Sequence, residues 1–366
     1  MKRIFIVAAI IAVGIIAGIL VISANNQEDS INEQTVKVGL VLISDKDDGS
    51  WSQTHYDALI KTEQELNIEL IYRENVPENE NCRIAIDDLL SEGCEIIICN
   101  SFGHGEYALE AATENPDVFF FHATGVEQDK NLTTFFGRIY QMRFLSGVVA
   151  GLQTESNAIG YVAAFPISEV NRGLNAFTLG VRSVNPDAKV YTNFCNSWNS
   201  DEAARASSEL LYEKYPDIDV FAMHTDSMAV CEFADEHNIW SIGYNMDNYE
   251  LFPNSYLTAP VWSWENYYIP KIQECMQGKF QRDHVWAGIE TGVVDLAPLS
   301  VNVKPGIAEA VDAERRHLED FDYDVFFGPI MDNEGNIRIA EGESMTDDMM
   351  LNAFDWYVDG VVVVNE

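Results

Sequence analysis

Trp51 and His55 stand four residues apart in the stretch Asp48-Gly-Ser-Trp-Ser-Gln-Thr-His55, so a helix there puts an indole and an imidazole on one face. The indole offers a flat surface for stacking, and the imidazole both donates and accepts hydrogen bonds. Residues of similar character follow other apolar runs: Phe102, then Phe165, Trp198, His224-Thr-Asp226, Asn245-Met-Asp247, and Trp262 within Val261-Trp-Ser-Trp264. Aromatics mixed with amides and carboxylates suit a flat polar ring held by stacking, or a sugar lying on the Trp faces. Each aromatic taken singly also fits as packing, and the local pattern alone reads Trp51 that way. The recurrence of the pattern after most of the apolar runs favours a shared ligand.

Other chemistries find little support. There is no Gly-x-Ser-x-Gly elbow, no P-loop Lys and no His-Glu-x-x-His. His224-x-Asp226 is too sparse for a metal site and reads as a hydrogen-bonded cleft pair. With 59 Asp and Glu, carboxylate pairs arise by chance and do not argue for acid–base catalysis. The six cysteines (Cys82, Cys94, Cys99, Cys195, Cys231, Cys275) are widely spread without metal-finger spacing, and Cys99 ends an apolar run. The expectation is a binding protein with no catalysis, no metal and no cofactor.

The elements that would carry these residues alternate. Val36–Ile43 is an apolar, β-branched strand, and strands at 68–72, 95–99, 117–122 and 133–136 interleave with helices at 51, 81–92, 106–114 and 137–152. A second round runs from strand 158–163 through strand 256–259, followed by helices at 265–276 and 307–318 and a hairpin near Asn333–Asn336. This spacing predicts an α/β fold of two doubly wound lobes with parallel central sheets and a cleft between them. Residues 36–155 are read as lobe 1, 156–262 as lobe 2, and 263–366 as a crossover and C-terminal region completing lobe 1. Ligands of such sheets bind outside the carboxyl ends of the strands, where the singled-out residues fall.

Lys and Arg number 22 against the 59 acids, a net charge of −37, which excludes nucleic acid as a partner. Residues 1–24 carry a basic start and an uncharged run from Ile4 to about Ile22, long enough for a membrane anchor and also readable as a signal peptide. Residues 25–35 form a polar tether. An exported, tethered, two-lobed chain points to a cleft-closing receptor for a small molecule.

Ordered segments then carry a family likeness. Asp48–His55, Glu74-Asn-Val-Pro77, Phe121-His-Ala-Thr-Gly125, Ile159–Pro166, Arg172–Phe177, Val184-Asn-Pro186, Asn196-Ser-Trp198, His224-Thr-Asp226, Ile242-Gly-Tyr244 and Gly292–Pro298 together resemble the basic membrane protein (BMP) family of ABC-transporter substrate-binding proteins. The resemblance implies a type I periplasmic-binding fold, a purine ligand, and a permease with an ATPase subunit as partner, with the receptor itself a monomer. It places Trp51 and an aromatic from the other lobe, Phe165 or Trp198, against the purine faces, which reverses the local reading of Trp51. Polar contacts are expected from His55, Asp226, Asn245 and Asp247; Arg143 and Glu169 are read as contacts or as braces of a lobe. Nucleoside-binding members have an Asp and a Lys facing the ribose, where this chain has Asn245 (or Asp247) and, near the second position, Trp262. Exchanging an ammonium for an indole suggests a free, adenine-like base rather than a nucleoside. No lipid-attachment Cys follows the N-terminal run, which favours the anchor. A ligand-sensing ectodomain of a signalling system and, more remotely, a nucleoside hydrolase are the alternatives.

Overall fold

The computed structural model describes residues 35–319 and 324–365; the expected N-terminal signal or anchor and most of the tether lie outside them. Among the described residues no helix is long and apolar enough to cross a membrane. The chain opens with β1 (Val36–Val41), α1 (Trp51–Glu65), β2 (Ile68–Arg73), α2 (Glu80–Ser91), β3 (Ile96–Cys99), α3 (Gly105–Glu114), β4 (Phe119–Ala123) and β5 (Leu132–Gly137). It continues through α4 (Tyr140–Gln153), β6 (Ala158–Ala163), α5 (Ser168–Val184), β7 (Lys189–Phe194), α6 (Asp201–Lys214), β8 (Val220–His224), α7 (Ala229–Glu236), β9 (Trp240–Ile242) and β10 (Tyr256–Thr258). The remainder is β11 (Pro260–Trp262), α8 (Glu265–Met276), β12 (His284–Ala287), β13 (Val294–Leu296), α9 (Ile307–Glu319), β14 (Ile330–Met331), β15 (Ile337–Ile339), α10 (Asp347–Asn352) and β16 (Val361–Val363).

Two six-stranded sheets result, ordered β12-β5-β4-β3-β1-β2 and β10-β9-β8-β6-β7-β16, with every strand pair parallel. The central strands are apolar over their whole length, as burial on both faces demands: all of Ile96–Cys99 and Ala158–Ala163 is buried. Strand order reverses direction between β1 and β3 in lobe 1 and between β6 and β8 in lobe 2, and the loops beyond those ends form the crevices that ligands use. A two-stranded antiparallel ribbon, β11 with β13, lies at the crossover, and β14 and β15 form the expected hairpin.

Two domain boundaries differ from the sequence reading. The C-terminal region does not complete lobe 1 alone: β12 extends the first sheet beside β5, but β16 pairs with β7 in the second. And α4, assigned by sequence to lobe 1, packs on α5 of lobe 2 and on α9. Small residues allow that contact. A Cβ at Gly180 would collide with the backbone oxygen of Phe144, and one at Gly147 with that of Phe177, so the two helices approach backbone to backbone. Gly180→Ala is expected to lower stability by about 1–3 kcal/mol through overpacking; an unchanged denaturant midpoint would show that the helices part without cost.

Candidate functional site

In lobe 1 the site begins with Asp48. The first turn of α1 leaves its amides without intrahelical partners, and Ser50 supplies no side-chain cap. The Asp48 carboxylate takes that role, accepting from the amides of Ser50, Ser52 and Gln53 at 2.9–3.0 Å. The capped helix then projects Trp51 towards the end of β3, where its indole N–H donates to Asn100 O at 2.8 Å. Asn100 is itself fixed: its Oδ1 accepts from Ile43 N at 2.9 Å and its Nδ2 donates to Ser52 Oγ at 3.2 Å.

Trp51 is half-buried in an aromatic cluster. Its ring meets His55 edge-on at 4.5 Å, Trp262 at 5.7 Å and Trp264 at 5.8 Å, while Trp262 and Trp264 stack at 4.6 Å. His55 sits deeper than a ligand contact requires. It is fully buried, stacks on Trp264 at 5.0 Å, and shares a 2.6 Å hydrogen bond between Nδ1 and the Tyr268 hydroxyl. Burial depresses its pKa to about 3, so the ring is neutral.

Lobe 2 presents its half at the ends of β6, β7, β8 and β9. Phe165 and Trp198 lie 6.1 Å apart, both half-buried, and Trp198 O accepts from Asp226 N at 2.6 Å. Asn245 adopts φ 69°, the left-handed region that Asn tolerates better than most residues. From there its Nδ2 donates to Ser50 Oγ of lobe 1 at 2.8 Å and to Asp226 Oδ1 at 2.7 Å, and its Oδ1 accepts from the Trp262 indole at 2.9 Å. Ser50 Oγ also reaches Asp226 at 3.4 Å, and Asn248 Nδ2 donates to Gly49 O at 3.3 Å. The lobes are thus latched by polar bonds at the mouths of their crevices.

Beside the latch lies a cavity of about 340 Å³, lined by Asp45, Asp48, Asn199, Asp201, Asp226 and Glu232 among others, with no Lys or Arg. A second, of about 280 Å³, is lined by Met246, Asp247, Trp262 and Lys61 among others. Asp247 is exposed and bonded to Tyr249 N, so it faces this second cavity rather than the latch. Phe102 stands on the rim of lobe 1, 64% exposed. The structure therefore gathers Trp51, Asp226, Asn245 and Trp262 into one assembly, holds His55 in the core behind it, keeps Phe165 and Trp198 in lobe 2, and leaves Phe102 and Asp247 apart.

Sequence reasoning did not single out Ser50, Trp264, Tyr268 or Tyr244. Trp264 and Tyr244 lie inside stretches that already drew notice, but only the structure shows that Trp264 stacks on His55 and Trp262 while Tyr244 packs against His224 and Arg143. His224 is buried, bonded through Nδ1 to Tyr161, and held well below its ordinary pKa by burial and then by Arg143 and Arg172. It packs lobe 2. Among the described residues there is no group of three or more His, Cys, Asp or Glu that could hold a metal ion.

Asp226 is pushed up to about 7, first by burial and then by the facing Asp48 carboxylate, against the bond from Asn245. The latched chain therefore binds this proton more tightly than the unfolded chain, where the group titrates near 3.8. Its contribution to stability is complete at low pH and is lost as pH rises through about 7. The unfolding free energy is expected to fall across that window, and Asp226→Asn to flatten the slope; an unaltered slope in the variant would assign the proton to another group.

Residues 35–321 match the family described as Bmp, ABC transporter substrate-binding protein PnrA-like. A putative ABC transporter glucose-binding protein, TsgA13, of Haloferax volcanii is 32% identical over 329 residues, covering 90% of this chain and 81% of the relative. The purine-binding protein BAB2_0673 of Brucella abortus is 30% identical over 332 residues, covering 90% and 93%. Among solved structures, a transcriptional activator of the comK gene from Bacillus halodurans superposes with a TM-score of 0.69 at 23% identity, covering 78% of this chain and 98% of that one. A solute-binding protein of an ABC transporter system from Conexibacter woesei gives 0.67 at 17% identity, covering 79% and 98%. With a family match spanning most of its length, the chain belongs to the Bmp family of ABC-transporter substrate-binding proteins.

Proposed function

We propose that this substrate-binding protein captures a purine between its lobes as the free base, outside the cytoplasm, and hands it to a permease driven by an ATPase subunit. The observation that carries this reading is the saturation of Asn245. Both its amide hydrogens and its oxygen are engaged, by Ser50, Asp226 and the Trp262 indole. Asn245 and Trp262, which the resemblance sets where nucleoside binders face the ribose, bond to each other in this chain, which supports a ligand without a sugar. The cavity beside the latch, about 340 Å³, is at the small end of ligand pockets, which favours a base over a base with a sugar. Its five carboxylates and lack of cations also oppose phosphorylated ligands, so nucleotides are excluded on charge. Support for the purine comes from the relative named for purine binding.

A sugar is the second reading, favoured by the relative named for glucose and by the polar lining of the cavity. Calorimetric titration with adenine, guanine, adenosine, guanosine, inosine and D-glucose separates the two. A free base is expected to bind more tightly than any nucleoside. Tighter binding of a nucleoside overturns the free-base reading, and binding of glucose alone overturns the purine. Trp51→Ala is expected to weaken base binding by about 1–3 kcal/mol if the indole contributes a stacking surface; full affinity in a folded variant would assign Trp51 to packing.

A further inference from the structure

The cavity beside the latch is acidic on both sides of the seam between the lobes. Lobe 1 contributes Asp45 and Asp48 from the loop before α1, and lobe 2 contributes Asp201 at the start of α6, Asp226 beyond β8 and Glu232 on α7. No Lys or Arg lines this cavity, and none of the five acids forms an ion pair among the described residues. Closing the lobes therefore brings two sets of like charge together with no cation between them. That approach costs free energy unless a charge is removed.

Asp226 is where the two sets meet. Its Oδ1 accepts from Asn245 Nδ2 at 2.7 Å and lies 3.4 Å from Ser50 Oγ, so lobe 1 covers it directly. The Asp48 carboxylate acts on it from across the seam, and Glu169 acts on it from within lobe 2. Burial raises Asp48 as well, but the three amides it accepts from the first turn of α1 favour its ionised form. The buried cations of lobe 2 are engaged elsewhere. Arg143, with no exposed surface, donates to Met223 O at 2.6 Å and lies over the Tyr244 ring with Cζ 3.8 Å from the centroid, and Arg172 donates to Met350 O at 2.6 Å. Their charges bear on Glu169 and on His224, and burial keeps both His224 and the Tyr244 phenol neutral. The bonds from Asn245 and Ser50 favour the ionised Asp226, and burial with the Asp48 charge outweighs them. When the lobes part, Asp226 loses the cover of Ser50 and the facing Asp48 together, and its carboxyl returns towards ordinary acidity.

We propose that closure of the two lobes is proton-coupled: Asp226 takes a proton from solvent as the seam closes and gives it back as the lobes part, so the latched form is favoured in acid and weakened in alkali. The device concerns lobe closure alone and holds whatever the cleft binds. Between the acidity of the open form and about 7, the closed form holds the extra proton. As pH rises across that window the closed-to-open ratio falls by at most about tenfold per pH unit, and it levels off above. The test is energy transfer between two fluorophores on the full, ligand-free chain. They are attached through unnatural residues at Phe102 and Ile167, exposed positions beyond β3 and β6 on the two lobes. Transfer is expected to be high at about pH 5 and to fall as pH rises towards 7. In Asp226→Asn, which keeps the acceptor oxygen and never ionises, it is expected to stay high throughout. In Asp48→Asn, which keeps a helix cap, the fall is expected to be smaller and to end at lower pH. Transfer independent of pH in the wild-type chain overturns the proposal. So does a fall equal to the wild type's in Asp226→Asn or, where that variant does not fold, in Asp48→Asn; opening would then belong to general repulsion in a chain of net charge −37. Either failure leaves the purine and sugar readings standing, since no ligand enters the measurement.

Discussion

One side chain holds the two lobes in register. Asn245 makes three side-chain hydrogen bonds, donating one to lobe 1 and one to the carboxylate of its own lobe and accepting one from the crossover ribbon. Its backbone turns left-handed three residues beyond β9. An aspartate there would set a second carboxylate against Asp226, and an apolar residue would leave Ser50, Asp226 and the Trp262 indole without a common partner. The position demands an amide, and the surrounding residues are arranged to use all of it.

Around that amide the protein separates its polar and apolar work. Behind it the Trp51, Trp262 and Trp264 rings with His55 form a dry wall, where burial keeps the imidazole neutral. In front of it the cavity gathers carboxylates, and burial, followed by the Asp48 charge, lifts Asp226 towards neutrality. Burial raises Asp48 too, and there the amides of Gln53, Ser50 and Ser52 oppose the shift. The asymmetry is local in origin: one acid caps a helix and the other faces an amide and a serine.

Much of this architecture was legible from the sequence, because parallel strands buried on both faces leave unbroken apolar runs and their helices leave a 3.6-residue period. Glu265–Met276 was read correctly for that reason, and the hairpin around Asn333–Asn336 from its turn residues. Three features were not legible. The β16 strand, Val361–Val363, is a short apolar run near the chain end, and nothing local says which of two sheets it joins. The α4 helix follows a lobe 1 strand in sequence, yet its glycines fit it against α5. At the site, Trp51 and Asn245 drew attention as types, but their joining through Ser50 and Trp262 is a long-range fact that spacing does not encode. His55 shows the converse: its type and position suggested an exposed contact, and the arrival of Trp264 and Tyr268 from the crossover buried it.

The pairing of β12 and β16 also bears on how the chain is made. Each sheet takes its edge strand from the far end of the polypeptide: the first waits for residues 284–287 beside β5, the second for residues 361–363 beside β7. The first sheet is complete only once residue 287 is available and the second only near the chain's end, and contacts so distant in sequence form slowly. A nascent chain of this design keeps its second sheet unfinished until the last strand arrives, well after the first has received β12.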